Sequence, residues 1–136
     1  MNIKSEQAML EYGRDFAKKI TAPIVIELVG DVGVGKTTFA KRLELELRLN
    51  RLRTKTISVD NYFVERKDNP KDENGEYDFE AIEAIDTNLL NDHLLKLLNG
   101  EEIKTPTFNF HTGEKEYLGN TMKLEQDEIL IMEGIH

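Results

Sequence analysis

The chain is 136 residues long, enough for a single domain with a real core. Its net charge of −8 and pI near 4.9 argue against an extended nucleic-acid or membrane surface, because phosphate backbones are held by surplus Lys and Arg. The absence of cysteine excludes disulfides and thiolate zinc sites, and with no long apolar segment and no export-type N-terminus the expected location is the cytoplasm.

Ser5 to Ile20 carries Ala8, Met9, Tyr12, Phe16, Ala17 and Ile20 at helical spacing, which predicts a scaffold helix with Ser5 as its N-cap. Thr21-Ala22-Pro23 breaks it. The apolar run Ile24 to Val29 then reads as a buried strand, followed by Gly30-Asp31-Val32-Gly33-Val34-Gly35-Lys36-Thr37, a complete G-x-x-x-x-G-K-T loop. Strand before and helix after is the context that gives this spacing its chemistry. Glycines let backbone N–H groups wrap phosphates, and the positive end of the following helix faces them. The candidate nucleotide-binding set is Gly30, Asp31, Val32, Gly33, Val34, Gly35, Lys36, Thr37 and Thr38. Lys36 is placed to neutralise the β and γ phosphates, and Thr37 to offer its hydroxyl to Mg²⁺. A nucleoside triphosphate, ATP or GTP, is the implied ligand.

Thr38 to Arg53 is ambiguous, because Leu43, Leu45, Leu47 and Leu49 alternate with Glu and Arg as a strand would. The loop requires a helix here, and the composition and the Glu44–Arg48 spacing favour one. Thr54 to Val59 reads as a second strand ending at Asp60-Asn61-Tyr62-Phe63, where ligands of parallel sheets gather. Asp60 is either a general base for an attacking hydroxyl or an ordinary turn residue. Glu65 to Tyr77 reads as a mobile loop. A helix follows, starting between Phe79 and Asp86 and closed by Asn99-Gly100, with Leu89, Leu90, Leu94, Leu97 and Leu98 expected to face the core. Glu102 to Phe110 and Glu116 to Met122 suggest a β-hairpin around His111-Thr112-Gly113.

Glu128 to Met132 is a third buried strand, and Glu133 at its end is what a Walker B acid looks like, holding Mg²⁺ through water opposite Thr37, or else a surface carboxylate. The three histidines, His93, His111 and His136, show no ligand spacing. Tyr62, Phe63, Phe108, Phe110 and Tyr117 serve either to stack on a base or to pack across strands. These elements predict an α/β fold of the P-loop NTPase type, a three-layer α/β/α arrangement with a mostly parallel sheet, incomplete in its C-terminal part, and a β-hairpin insertion. The expected strand order is second, third, first. That leaves the P-loop strand with an open edge through which a homo-oligomer could form.

Ser58-Val59-Asp60-Asn61-Tyr62-Phe63, Asp72 to Ala81, Thr105-Pro106-Thr107-Phe108-Asn109-Phe110 and Ile131-Met132-Glu133-Gly134-Ile135-His136 together resemble the uridine kinase and phosphoribulokinase family. The resemblance covers about residues 39 to 136 and implies transfer of the γ-phosphate of ATP or GTP to a sugar hydroxyl, with the 5′-hydroxyl of uridine or cytidine as acceptor. It implies Asp60 as catalytic base beside Lys36, Thr37 and Glu133 serving Mg²⁺, Phe63, Phe79 and Phe108 around the nucleoside, and Glu80 near the ribose. Many relatives have Asp at the Glu80 position and Tyr at the Phe108 position. Domain organisation follows as one P-loop domain, 1–136, with helix, first strand and loop in 1–42 and a kinase-like core in 43–136 whose acceptor segment spans about 61–122.

Lys4-Ser5-Glu6-Gln7, Gly13-Arg14 and Val29 to Phe39 are instead similar to the small bacterial ATPase of tRNA threonylcarbamoyladenosine biosynthesis. That resemblance implies ATP hydrolysis within a protein complex, and a chimera joined near residues 38 to 43 accounts for both likenesses. A nucleotide-binding module or designed chimera without catalysis is the remaining alternative. The family continues past Glu-Gly-Ile-His into an arginine-bearing lid, and the chain stops before it. Arginines of that kind contribute roughly 10³ or more in rate, so weak or absent turnover is the expectation.

Overall fold

The computed structural model of the chain describes residues 5–19, 25–29, 33 and 35–134. Gly30, Asp31, Val32 and Val34 of the phosphate loop lie outside the described residues, as do Ile20, Ile24, Ile135 and His136. The chain forms two units, one comprising residues up to Ile57 with Glu125–Gly134, the other Ser58–Leu124.

In the first unit, α1 (Glu6–Ala17) starts where expected, with the Ala8 N–H donating to Ser5 Oγ at 3.1 Å. The alternating leucines resolve as a helix, α2 (Lys36–Leu49). Phe39, Ala40, Leu43 and Leu47 are buried while Leu45 and Leu49 are exposed, a period of 3.6 rather than 2. Tyr12 and Phe16 of α1 pack on Phe39 with ring centroids 5.6 and 6.4 Å away. Glu46 is buried at the same seam, where it pairs with Arg42 one turn back and accepts from Arg14 of α1 at 3.4 Å.

The sheet of β1 (Val25–Glu27), β2 (Arg53–Ser58) and β7 (Glu128–Glu133) has the order β1-β7-β2, as the sequence predicts. β1 and β7 are parallel, with Ile26 opposite Ile131 and Glu27 opposite Met132. Ile129, Leu130 and Ile131 are fully buried, since a central parallel strand is covered on both faces. β1 departs from the buried strand expected. Only Ile26 is buried, with Val25 and Glu27 exposed, because among the described residues β1 pairs only with β7.

In the second unit, a 3-10 turn (Val59–Tyr62) follows β2 directly, and α3 (Thr87–Leu98) begins at Asp86, whose carboxylate accepts the Leu89 N–H at 3.0 Å. The buried face of α3 is Leu90, His93 and Leu97. Leu98, expected inward, is 58% exposed, one step round the helix from Leu97.

The segment read as a mobile loop is hydrogen-bonded throughout much of its length. Asp72 Oδ1 accepts the N–H groups of Asn74 and Glu76, Lys71 bridges Tyr77, and Asn69 donates to the carbonyls of Val64 and Glu65. The expected hairpin is present but broken into two antiparallel ladders. β3 (Ile103–Lys104) pairs with β6 (Thr121–Met122), and β4 (Thr107–Asn109) pairs with β5 (Glu114–Glu116). Pro106 stands at the break, where it can donate no ladder hydrogen bond. The β4–β5 turn closes through the Gly113 N–H donating to the Asn109 carbonyl at 2.7 Å, with Gly113 at φ +75°.

Candidate active site

Two groups of candidate residues are built, one in each unit. In the first, Gly33 and Gly35 hold φ values of +81° and +90°, conformations that glycine adopts without strain. Gly35 caps α2, so Lys36, Thr37 and Thr38 form the helix's first turn, where the positive end of the helix dipole favours an anion. Thr37 is exposed and its hydroxyl donates to Glu133 Oε2 at 3.0 Å. Ninety-six positions of sequence separate these two residues. The residues expected to serve Mg²⁺ therefore present their oxygens to one point.

Hard divalent cations take oxygen ligands and keep several waters, so a hydroxyl beside a carboxylate at the mouth of a phosphate loop fits Mg²⁺. Glu133 ends β7, whose buried aliphatic residues fix the height at which its carboxylate emerges.

In the second unit, Asp60 is half-buried within the Val59–Tyr62 turn. Tyr62, in the same turn, is buried and its hydroxyl is 2.9 Å from Nδ1 of His93 on α3, the rings meeting edge to face. Burial pushes the Tyr62 phenol up to about 12 and, on the other partner, drives the His93 imidazole below its usual value. His93 is thus a core histidine that anchors the Asp60 turn to a helix. Asp86 is pulled two ways: partial burial raises its carboxyl, but the Lys115 ammonium at 2.8 Å and the Leu89 N–H outweigh this and hold it below the ordinary carboxylate value.

Phe63, Phe79 and Phe108 do come together. Phe63 lies 5.9 Å from Phe79 and 5.4 Å from Phe108, and Phe110 closes the group at 5.9 Å from Phe63 and 5.0 Å from Phe108. Burial divides them by role. Phe63 and Phe108 are 2% and 5% exposed and form a floor, whereas Phe110 is 59% exposed and Tyr77, 6.0 Å from Phe79, is also open to solvent. Phe63 and Phe108 thus fit the packing reading of these aromatics. Glu80 is exposed, its N–H donating to Asp78 Oδ1 at 3.0 Å.

Sequence reasoning gave no role to Asn61 or Arg66. The Asn61 Oδ1 accepts the Phe108 N–H at 3.2 Å, and Arg66 reaches the Phe110 carbonyl at 2.5 Å, both across more than forty residues of sequence. No local signal could have revealed either contact.

The family described as Phosphoribulokinase / Uridine kinase matches residues 25–136, which takes in the phosphate loop as well as the segment that carries the resemblance. A uridine kinase of Clostridium perfringens is 34% identical over 113 residues, 83% of this chain and 52% of that protein. One from Halalkalibacterium halodurans is 32% identical over 115 residues, with the same two coverages. The chain spans about half the length of the curated relatives it matches.

Among solved structures, one described as a "Possible Uridine Kinase" from Bacillus stearothermophilus superposes with a TM-score of 0.72 at 20% identity, covering 94% of this chain and 71% of that one. D-glycerate 3-kinase from Cryptococcus neoformans gives 0.58 at 17% identity, covering 93% and 50%. These likenesses establish the fold as that of P-loop kinases.

Proposed function

The chain belongs to the phosphoribulokinase and uridine kinase family, and from that premise we propose that it serves transfer of the γ-phosphoryl group of ATP or GTP to the 5′-hydroxyl of a pyrimidine nucleoside. The observation that carries this reading is the Thr37–Glu133 hydrogen bond, which sets a phosphate-loop hydroxyl against a strand-end carboxylate. In this reading the first turn of α2 holds the triphosphate, with Lys36 as the side-chain cation on the β and γ phosphates. Thr37 and, through water, Glu133 hold Mg²⁺. When bound, that ion neutralises charge on the transferring group.

The acceptor is assigned to the second unit. Phe63 and Phe108 supply a rigid apolar floor, and Phe110, Tyr77 and Phe79 the accessible rings against which a planar base can rest. Asp60 accepts the proton of the 5′-hydroxyl as that oxygen attacks the γ-phosphorus, and the nucleoside diphosphate leaves. Tyr62 and His93 hold the turn that carries Asp60.

The test is transfer of labelled γ-phosphate to uridine by the purified chain, with Lys36→Ala and Asp60→Asn beside it. Binding of Mg·ATP that needs Lys36, uridine binding, and transfer lost in Asp60→Asn support the assignment. Nucleotide hydrolysis indifferent to Asp60→Asn, without uridine binding, removes it in favour of an ATPase.

A further inference from the structure

The geometry points to Arg66 as a positioning residue that holds the β4–β5 turn so that the Phe110 ring is presented to the acceptor, an inference that rests on the acceptor reading above. Residues 61–66 run along β4 and its turn and grip them at three levels. At the root, Asn61 Oδ1 accepts the Phe108 N–H. In the middle, the buried Phe63 ring packs against both Phe108 and Phe110. At the tip, the Arg66 backbone N–H donates to the Gly113 carbonyl at 2.8 Å while its guanidinium donates through Nη2 to the Phe110 carbonyl at 2.5 Å and through Nη1 to that of His111 at 3.5 Å.

The tip contact is the one with a side-chain charge in it. A guanidinium carries several donors in one rigid plane, so two successive carbonyls of the turn can be held in a fixed relation that an ammonium cannot reproduce. Close approach makes the fit selective. A Cβ at Gly113 would lie 2.6 Å from Arg66 Cβ and 2.8 Å from its Nε, and Gly113 already holds a φ of +75°. Arg66 therefore needs glycine opposite it, and the stem of Arg66 occupies the room a side chain would take. Phe110 gains no support from burial, being 59% exposed. Its ring direction depends on its neighbours Phe63 and Phe108 and on the carbonyl that Arg66 holds.

Arg66 does not touch a nucleotide site within its unit's described contacts, so its removal should act on acceptor binding alone. Calorimetric titrations of the full chain with uridine and separately with Mg·ATP, on wild type, Arg66→Ala, Arg66→Lys and Gly113→Ala, test this. Expected are a roughly tenfold or greater loss of uridine affinity in Arg66→Ala and Gly113→Ala, a smaller loss in Arg66→Lys, and unchanged Mg·ATP affinity in all three. Nuclear Overhauser contacts between the Phe63 and Phe110 rings should weaken in the same order. Should Arg66→Ala not fold, Arg66→Lys decides, since it keeps the stem and the backbone bond to Gly113.

Wild-type uridine affinity in Arg66→Lys, or an equal fall of uridine and Mg·ATP affinities in any variant, overturns the positioning role. A wild-type chain that binds Mg·ATP but not uridine fails at an earlier stage. It overturns the acceptor reading itself, before any variant is compared.

Discussion

Replacing Tyr62 by Phe keeps the buried ring and removes only the oxygen that meets His93 Nδ1 at 2.9 Å. No cavity larger than a hydroxyl is left, so the cost is that of one hydrogen bond between buried neutral groups plus the stranding of an imidazole nitrogen, about 1–3 kcal/mol. Stability is read from urea titrations of wild type, Tyr62→Phe, His93→Leu and the double variant, and the cycle should show a coupling of about 1 kcal/mol. The pH dependence carries a second signature. Because burial lowers His93, its neutral form supplies stability that is complete above its ordinary value of 6.5 and is lost as pH falls through the lower folded value.

Tyr62 behaves oppositely. Its phenol is raised from 10.0 to about 12, so wild type holds stability below pH 10 that is lost as pH rises toward 12, at most about 3 kcal/mol for two pH units. Tyr62→Phe should lack that share of the alkaline loss. A variant within about 0.3 kcal/mol of the parent, with the same alkaline limb, refutes the idea that this pair anchors the Asp60 turn.

Ile131→Ala, at a fully buried position opposite Ile26, should cost about 2–5 kcal/mol in the same urea assay. Glu133→Gln should weaken the Mg²⁺ dependence of ATP binding by about tenfold or more while leaving metal-free nucleotide binding unchanged; equal Mg²⁺ dependence counts against its metal role. Asp86→Ala removes both the cap on Leu89 and the partner of Lys115 and should cost about 1–2 kcal/mol near neutrality. That difference should shrink in acid, because the carboxyl is held below 3.8 in the fold and its contribution is lost only as pH falls through the folded value.

Features whose partners lie within one turn of chain were legible in the residues alone. Ser5 caps its helix through the N–H group three positions on, and Gly33 and Gly35 take the positive φ that a phosphate loop needs. The β4–β5 turn at Gly113 belongs with them. The apolar run 129–131 marked a central strand because both its faces are covered, and the same reasoning overstated β1, which among the described residues lies at the edge of the sheet with only Ile26 buried. Single-position errors followed from periodicity, which cannot say whether Leu97 or Leu98 points inward.

Which distant residues meet follows instead from the packing of the whole chain. Thr37 and Glu133 come together because β7 inserts between β1 and β2, and the alternating leucines of α2 settle as a helix because Leu43 and Leu47 find a core against α1 and the sheet. His93 is buried because Tyr62 offers it a partner, and Arg66 finds Phe110 across forty-four residues. Local sequence fixes backbone conformation through short-range sterics and hydrogen bonds, whereas the meeting of distant side chains depends on burial and strand order, which the whole chain sets together.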